Sequence, residues 1–163
     1  MDHTRKKSKA IVDAYVAAKE LKLAAACTDS RRFDPIWLYE RATAMDEPHD
    51  ENERRCSARA LIKAGHAILA HARPDLAGEV FEKAFLFLND SKSGMLRSKA
   101  MASVVLSWER VGKPRSAAAF IARALQRIEE LRGEKSKARQ EKQLARALER
   151  AKQVKLPKII KAR

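Results

Sequence analysis

A two-helix pattern occurs twice in this chain, 40 residues apart, and it constrains the fold more than any other feature. The first copy runs Leu61-Ile-Lys-Ala64-Gly65-His-Ala-Ile68, breaks near Arg73-Pro74, and resumes as Ala77-Gly-Glu-Val-Phe81-Glu-Lys-Ala84. The second places Met101, Val104-Val105 and Trp108 on one helix, Gly112 at the turn, and Ala117, Ile121 and Ala124 on the next. A weaker third copy lies upstream at Pro35, Tyr39 and Ala42. Apolar residues three and four apart share one face of a helix. Ala64 or Gly65 lets the second helix approach, and Phe81 fills the groove that this approach leaves. One such hairpin cannot bury its own apolar face, so hairpins stack.

The rest of the chain agrees with helices throughout. Helix formers dominate, there are only 5 Gly and 5 Pro, and no alternating β-branched run has strand length. A length of 163 residues suits a single core. The periodicity predicts a first helix over about 5–27, with Ile11, Ala14/Tyr15, Ala18, Leu21 and Ala25 on its apolar stripe. Thr28-Asp29-Ser30 ends it. Asp34 is the N-cap and Pro35 the first residue of a second helix to about 45, burying Ile36/Trp37, Leu38/Tyr39 and Ala42. Asp50, Glu51 and Glu53 open a third to about 72, where negative charge favours the helix dipole, and Pro74 opens a fourth to about 88. Asn89-Asp90-Ser91 caps a fifth that ends at Val111-Gly112. Pro114 opens a sixth to about 132. A seventh, over about 134–155, carries Leu144, Leu148 and Ala151 as a thin apolar stripe.

The spacing of Leu61, Ala64-Gly65, Ile68, Ala77, Phe81 and Ala84, and its return at Met101 through Ala124, resembles the tetratricopeptide-repeat family over roughly residues 10–131. The chain departs from that pattern in a period nearer 40 than 34, in Val105 at the small-residue position, and in lacking a Pro that closes each unit. The resemblance implies an all-α, right-handed solenoid of about three helical hairpins, followed by a basic C-terminal helix. It divides the chain into a basic segment 1–9, a repeat domain 10–131 and a basic capping helix with tail 132–163. The plainer alternative is a six-helix bundle with Ala-rich contacts.

First helices of such units line the concave face in that family. Arg59, Ile62 and His66 share a helical face, as do Lys99, Ala102, Leu106 and Arg110, and both stripes lie off the packing residues. A groove bearing Arg59, Lys63, His66, Lys99 and Arg110 suits an acidic protein segment or a carboxylate terminus. The expected function is therefore a non-enzymatic adaptor or scaffold. Arg59 and His66 also resemble the loose Arg…His spacing of the helical HEPN ribonucleases. There the pair forms an active site across a dimer with His as acid and base, although Ala60 stands where a polar residue is usual. His66 and His71 are five apart and cannot form a helical metal pair, and His3 and His49 have no evident partners. No phosphate-cradling glycine loop occurs, so neither metal nor cofactor is expected.

Net charge is +14, and its distribution is uneven. Residues 132–163 carry +9 and residues 1–9 carry +3, leaving a nearly neutral body. Arg139, Lys142, Arg146 and Arg150 recur every three or four residues, with Lys152 beside them, a cationic stripe suited to tracking DNA or RNA phosphates within a nucleic-acid-containing assembly. Few aromatics accompany it, which argues against stacking on single strands. Cys27 and Cys56 read as reduced, buried thiols of a cytoplasmic protein. No apolar run is long enough for a membrane span, and the first residues lack the apolar core of a signal peptide.

Overall fold

Local chemistry sets where the helices begin and end. The computed structural model describes residues 2–27, 33–89 and 91–113, and beyond them single positions between 115 and 149. Five helices are continuous: α1 (Asp2–Ala26), α2 (Pro35–Thr43), α3 (Glu51–Ala70), α4 (Pro74–Phe87) and α5 (Gly94–Arg110). Each described position from 115 to 149 is also helical, and no strand occurs among the described residues, so the protein is all-α.

Asp34 caps α2 as expected, its Oδ1 accepting from the Ile36 amide at 2.8 Å with Pro35 following. Asp50 caps α3 by accepting from the Glu53 amide at 2.8 Å, and Glu53 reaches back to accept from the His49 amide at 3.0 Å. This is a capping box shifted by one residue at its return arm. The acidic cluster is thus a helix start. The fifth helix differs from expectation: it begins at Gly94 behind Ser93, and Ser91 does not cap it. The Ser91 hydroxyl instead accepts from the Ser93 amide at 3.0 Å and donates to Glu51 Oε1 at 2.8 Å.

Two helix ends share one geometry. After α5, the Lys113 amide bonds Trp108 O at 2.9 Å and the Gly112 amide bonds Glu109 O at 3.0 Å, with Gly112 at φ +76°. After α3, the Arg73 amide bonds Ile68 O at 3.4 Å and the Ala72 amide bonds Leu69 O at 3.0 Å, with Ala72 at φ +59°. Both are Schellman closures, 40 residues apart, and only the one after α5 uses the residue that tolerates the left-handed region. For this reason α3 stops at Ala70 and not at Ala72.

Packing follows the spacing read from the sequence. Leu61, Ala64, Gly65, Ile68, Ala77, Phe81, Ala84, Met101 and Val104 are all buried, while Ala117, Ile121 and Ala124 lie outside the described residues. Gly65 and Phe81 meet at the crossing of α3 and α4: a Cβ on Gly65 would lie within 2.8 Å of the ring. At the next crossing Trp108 packs over Gly78 and donates its indole N–H to Glu82 Oε1 at 2.8 Å. On α1, Ala18, Leu21 and Ala25 are buried, but Tyr15 is 39% exposed. On α2, Leu38 and Ala42 are buried, Tyr39 is half-buried, and Ile36 and Trp37 are about half exposed, contrary to expectation. This nine-residue helix turns one side to α1, α3 and α4, and among the described residues its other side is exposed.

Helices α4 and α5 run antiparallel, and α1 with α3 and α2 with α4 run in parallel. Phe81 of α4 meets Gly65 of α3, and Trp108 near the end of α5 meets Gly78 near the start of α4. By contrast, the Tyr39 hydroxyl donates to the Glu79 carboxylate, and the Lys83 ammonium donates to Thr43 O at the end of α2. Ser91 and the Lys92 amide both reach Glu51. The pairs 39/79, 43/83 and 51/91 are each separated by 40 residues, the spacing at which the two-helix pattern of Leu61 returns at Met101. Likewise Tyr15 lies within electrostatic reach of Asp50 and Glu53 at the start of α3, whereas Phe33, beyond the end of α1, stacks on His71 at its end. Helix α3 touches α1, α2, α4 and α5.

Candidate partner-binding surface

Helix α3 buries Ser57, Ala58, Ala60, Leu61, Ala64 and Gly65, so its outward stripe falls at the remaining positions. Those are Asn52, Arg55, Arg59, Lys63 and His66, all exposed, at spacings of three and four. Arg59, Lys63 and His66 therefore share one surface, as the sequence indicated, and Arg55 extends it. Sequence reasoning passed over Arg55, although the same three- and four-residue spacing reaches it. Among the described residues, none of Arg55, Arg59 and Lys63 makes an ion pair. Their charge is thus available to a partner.

His66 differs from its neighbours. Its ring lies edge-on to Phe81 with centroids 5.0 Å apart, and desolvation there lowers its pKa below the usual 6.5. At neutral pH it is an uncharged donor and acceptor beside a row of cations. Lys99 and Arg110 are exposed at the two ends of one α5 face. Between them Ala102 is buried and Leu106 half-buried, so α5 supplies two separate cations and not a stripe. Helix α5 packs mainly on α4 and only lightly on α3.

In the C-terminal region Arg139, Lys142 and Arg146 are exposed on helical positions, while Leu144 is 8% exposed and belongs to the hydrophobic core. Leu144 thus packs on the body while these three cations face solvent. Arg150 and Lys152 lie outside the described residues. No group of three metal-ligating side chains occurs among the described residues. Among the described residues no helix is long and apolar enough to cross a membrane. Both cysteines are free, and Cys27 is exposed, not buried as the sequence suggested.

Three features were not foreseen. Arg97 is fully buried and donates to Leu88 O at 3.1 Å and to Ser91 O, a cation closing the C-terminal end of α4. Its signal is the spacing Arg97, Met101, Val104, Trp108, which puts it on the packing face of α5. Glu82, half-buried beneath Trp108, has its pKa raised by desolvation, opposed by the indole bond. Finally, α1 and α2 enclose an open groove of about 120 Å³ lined by Ala17, Leu21, Trp37, Arg41, Ala44 and Met45, with Glu20 at its edge. The Arg41 guanidinium lies over the Trp37 ring, 5.4 Å from its centroid. No protein-family model, no curated protein and no solved structure matches this chain.

Proposed function

We propose that the chain is a non-enzymatic adaptor, a stack of tetratricopeptide-like hairpins that holds an acidic protein segment along the outward stripe of α3. The stacked-hairpin reading is supported by the bonds 39/79, 43/83 and 51/91, each of which spans the 40 residues that separate the two copies of the helical pattern. The binding reading is carried by one observation: Arg55, Arg59 and Lys63 form an exposed row without ion-pair partners among the described residues. Arginine forks and a lysine at one-turn spacing match successive carboxylates of an extended or helical acidic segment. His66 adds a neutral hydrogen-bonding group, and Lys99 and Arg110 contribute charge from α5. Anisotropy titration of a labelled Glu/Asp-rich peptide tests this. Arg59→Glu with Lys63→Glu should weaken binding by about tenfold or more, more so at low salt. Equal affinity of wild type and double variant would exclude the stripe.

A second reading is contact with DNA or RNA phosphates, favoured by the exposed row Arg139, Lys142 and Arg146 outside the anchored Leu144. It expects steeply salt-dependent binding that is lost on reversing those three charges and unaffected by the α3 variant. The HEPN-like nuclease reading rests on Arg59 and His66 sharing the α3 stripe. Metal-independent RNA cleavage that disappears in His66→Ala would establish it in place of the adaptor.

A further inference from the structure

Helices α1, α3 and α5 lie side by side in one register. Helix α3 touches both α1 and α5, which do not meet each other among the described residues. A three-residue turn joins α3 to α4, and Gly65 meets Phe81 within two turns of it, so these two form an antiparallel hairpin. Helix α5 is antiparallel to α4 in its turn, so α3 and α5 run the same way. Near their starts the Ser91 hydroxyl and the Lys92 amide both bond Glu51. Burial repeats at the same interval. Ala18, Ala58 and Ser98 are buried, and so are Leu21, Leu61 and Met101. Between these two ranks fall Lys19, Arg59 and Lys99, and all three are exposed. None of the three makes an ion pair among the described residues. One turn earlier stand Tyr15, Arg55 and Met95, and one turn later Leu23, Lys63 and Ser103, so no acid occupies the neighbouring ranks.

The α3 stripe and this transverse line cross at Arg59, but their pitches differ. Along α3 the cations follow at about 6 Å, four residues at about 1.5 Å each. Across the helices the pitch is the distance between packed axes, about 8–10 Å. A strand repeats a face at about 6.6 Å and an α-helix at about 6 or 10.5 Å, all outside that range. A polyproline II segment has three residues per turn and rises about 3.1 Å per residue, so every third side chain faces one way at about 9 Å. Tyr15, Leu23 and Met95, 39%, 59% and 65% exposed, flank the line and offer apolar contact to prolines between the acids. We propose that Lys19, Arg59 and Lys99 bind a polyproline II segment of a partner protein that carries a carboxylate at every third residue. This rests on the reading of the same face as a surface for acidic protein segments. It adds Lys19 to that surface, and it sets the partner's pattern as an acid followed by two residues of the proline kind.

Anisotropy titration of the full-length chain with a labelled peptide of three Glu-Pro-Pro units tests the proposal. The control peptide holds the same residues with its three acids adjacent, so charge and composition are equal. The repeating peptide should bind about tenfold more tightly than the control. Lys19→Ser with Lys99→Ser removes both ends of the line at exposed positions and should weaken the repeating peptide by about tenfold. Arg55→Ser with Lys63→Ser removes the same charge from the stripe and should weaken it by less than about threefold. Circular dichroism checks that both variants fold. Equal losses in the two variants, or equal affinity for the two peptides, would show attraction to charge without register and overturn the proposal. A single-stranded oligonucleotide that binds more tightly than the repeating peptide, and loses its affinity with Lys19 and Lys99, would assign the line to phosphates and also overturn it. If a Glu/Asp-rich peptide binds through Arg59 and Lys63 while the Glu-Pro-Pro peptide does not bind, the line fails and the stripe stands. If no acidic peptide binds, both fail.

Discussion

Replacing Gly65 by Ala sets two effects of known sign against each other. In a helix interior, Ala is favoured over Gly by about 0.5–1 kcal/mol, so a position governed by backbone propensity would gain stability. The structure predicts the opposite. A Cβ at Gly65 would stand 2.7 Å from Phe81 Cδ1 and 2.8 Å from Cζ, with Cε1 also in the way. Carbon atoms rest about 3.5–4.0 Å apart, so the ring or the helix must retreat by about 1 Å. Phe81 is fully buried and its ring touches His66 as well, so it has no empty rotamer to take. Overpacking of this kind costs about 1–3 kcal/mol, so the net loss is about 1–2 kcal/mol and Tm falls by roughly 2–8 °C. Phe81→Ala alone empties the groove at about 3–5 kcal/mol. The two changes are coupled: in a Phe81→Leu background, Gly65→Ala should cost less or become favourable, which a double-mutant cycle by thermal and urea unfolding measures. A Gly65→Ala protein that melts higher than wild type would refute the close approach, and with it the reason for a small residue at that position.

Other outcomes follow from single contacts. Ala72→Gly relieves a left-handed alanine and should raise stability by about 0.5–1 kcal/mol, seen as a higher urea midpoint with an unchanged slope. Leu144→Ala should cost about 2–3 kcal/mol, because that side chain belongs to the core; an unchanged Tm would detach the C-terminal helix from the body. The lowered pKa of His66 means that the unfolded chain binds the proton first as pH falls through 6.5, so stability is lost from there down to the folded-state pKa. Between about pH 7.5 and 5.5 wild type should therefore lose more Tm than His66→Gln; parallel curves would show that the ring is not desolvated.

What the sequence disclosed, it disclosed where one residue type answers one physical demand. Asp34 and Asp50 cap helices because few side chains reach a free amide at that place, and Gly112 closes α5 because the left-handed region favours glycine. Ala72 makes the same closure without the residue that announces it, so the end of α3 was misplaced by two residues. Trp37 and Ile36 read as core because they are large and apolar; they are exposed because, among the described residues, none covers the outer side of α2. Arg97 is hidden for the converse reason. A cation on a packing stripe reads as an interruption until the carbonyls of Leu88 and Ser91 are seen around it. The Arg59, Lys63 and His66 row was legible as the complement of the packing positions, whereas the groove between α1 and α2 depends on what Arg41 does with its guanidinium, which spacing does not state.

The central place of α3 has a consequence for how the protein opens. A helix that touches α1, α2, α4 and α5 loses its partners only when the others have parted, so its amides should exchange with solvent deuterium through global unfolding alone. Helix α2, nine residues long and exposed along one side, should release its protons first through sub-global opening. Beside the buried Leu38 and Ala42, two hydrogen bonds at Tyr39 and Thr43 tie it to α4, so Glu79→Gln and Lys83→Met should hasten exchange in α2 while leaving that of α3 nearly unchanged. Rates read helix by helix would then rank the hairpins as separate cooperative units, in the order in which the chain comes apart.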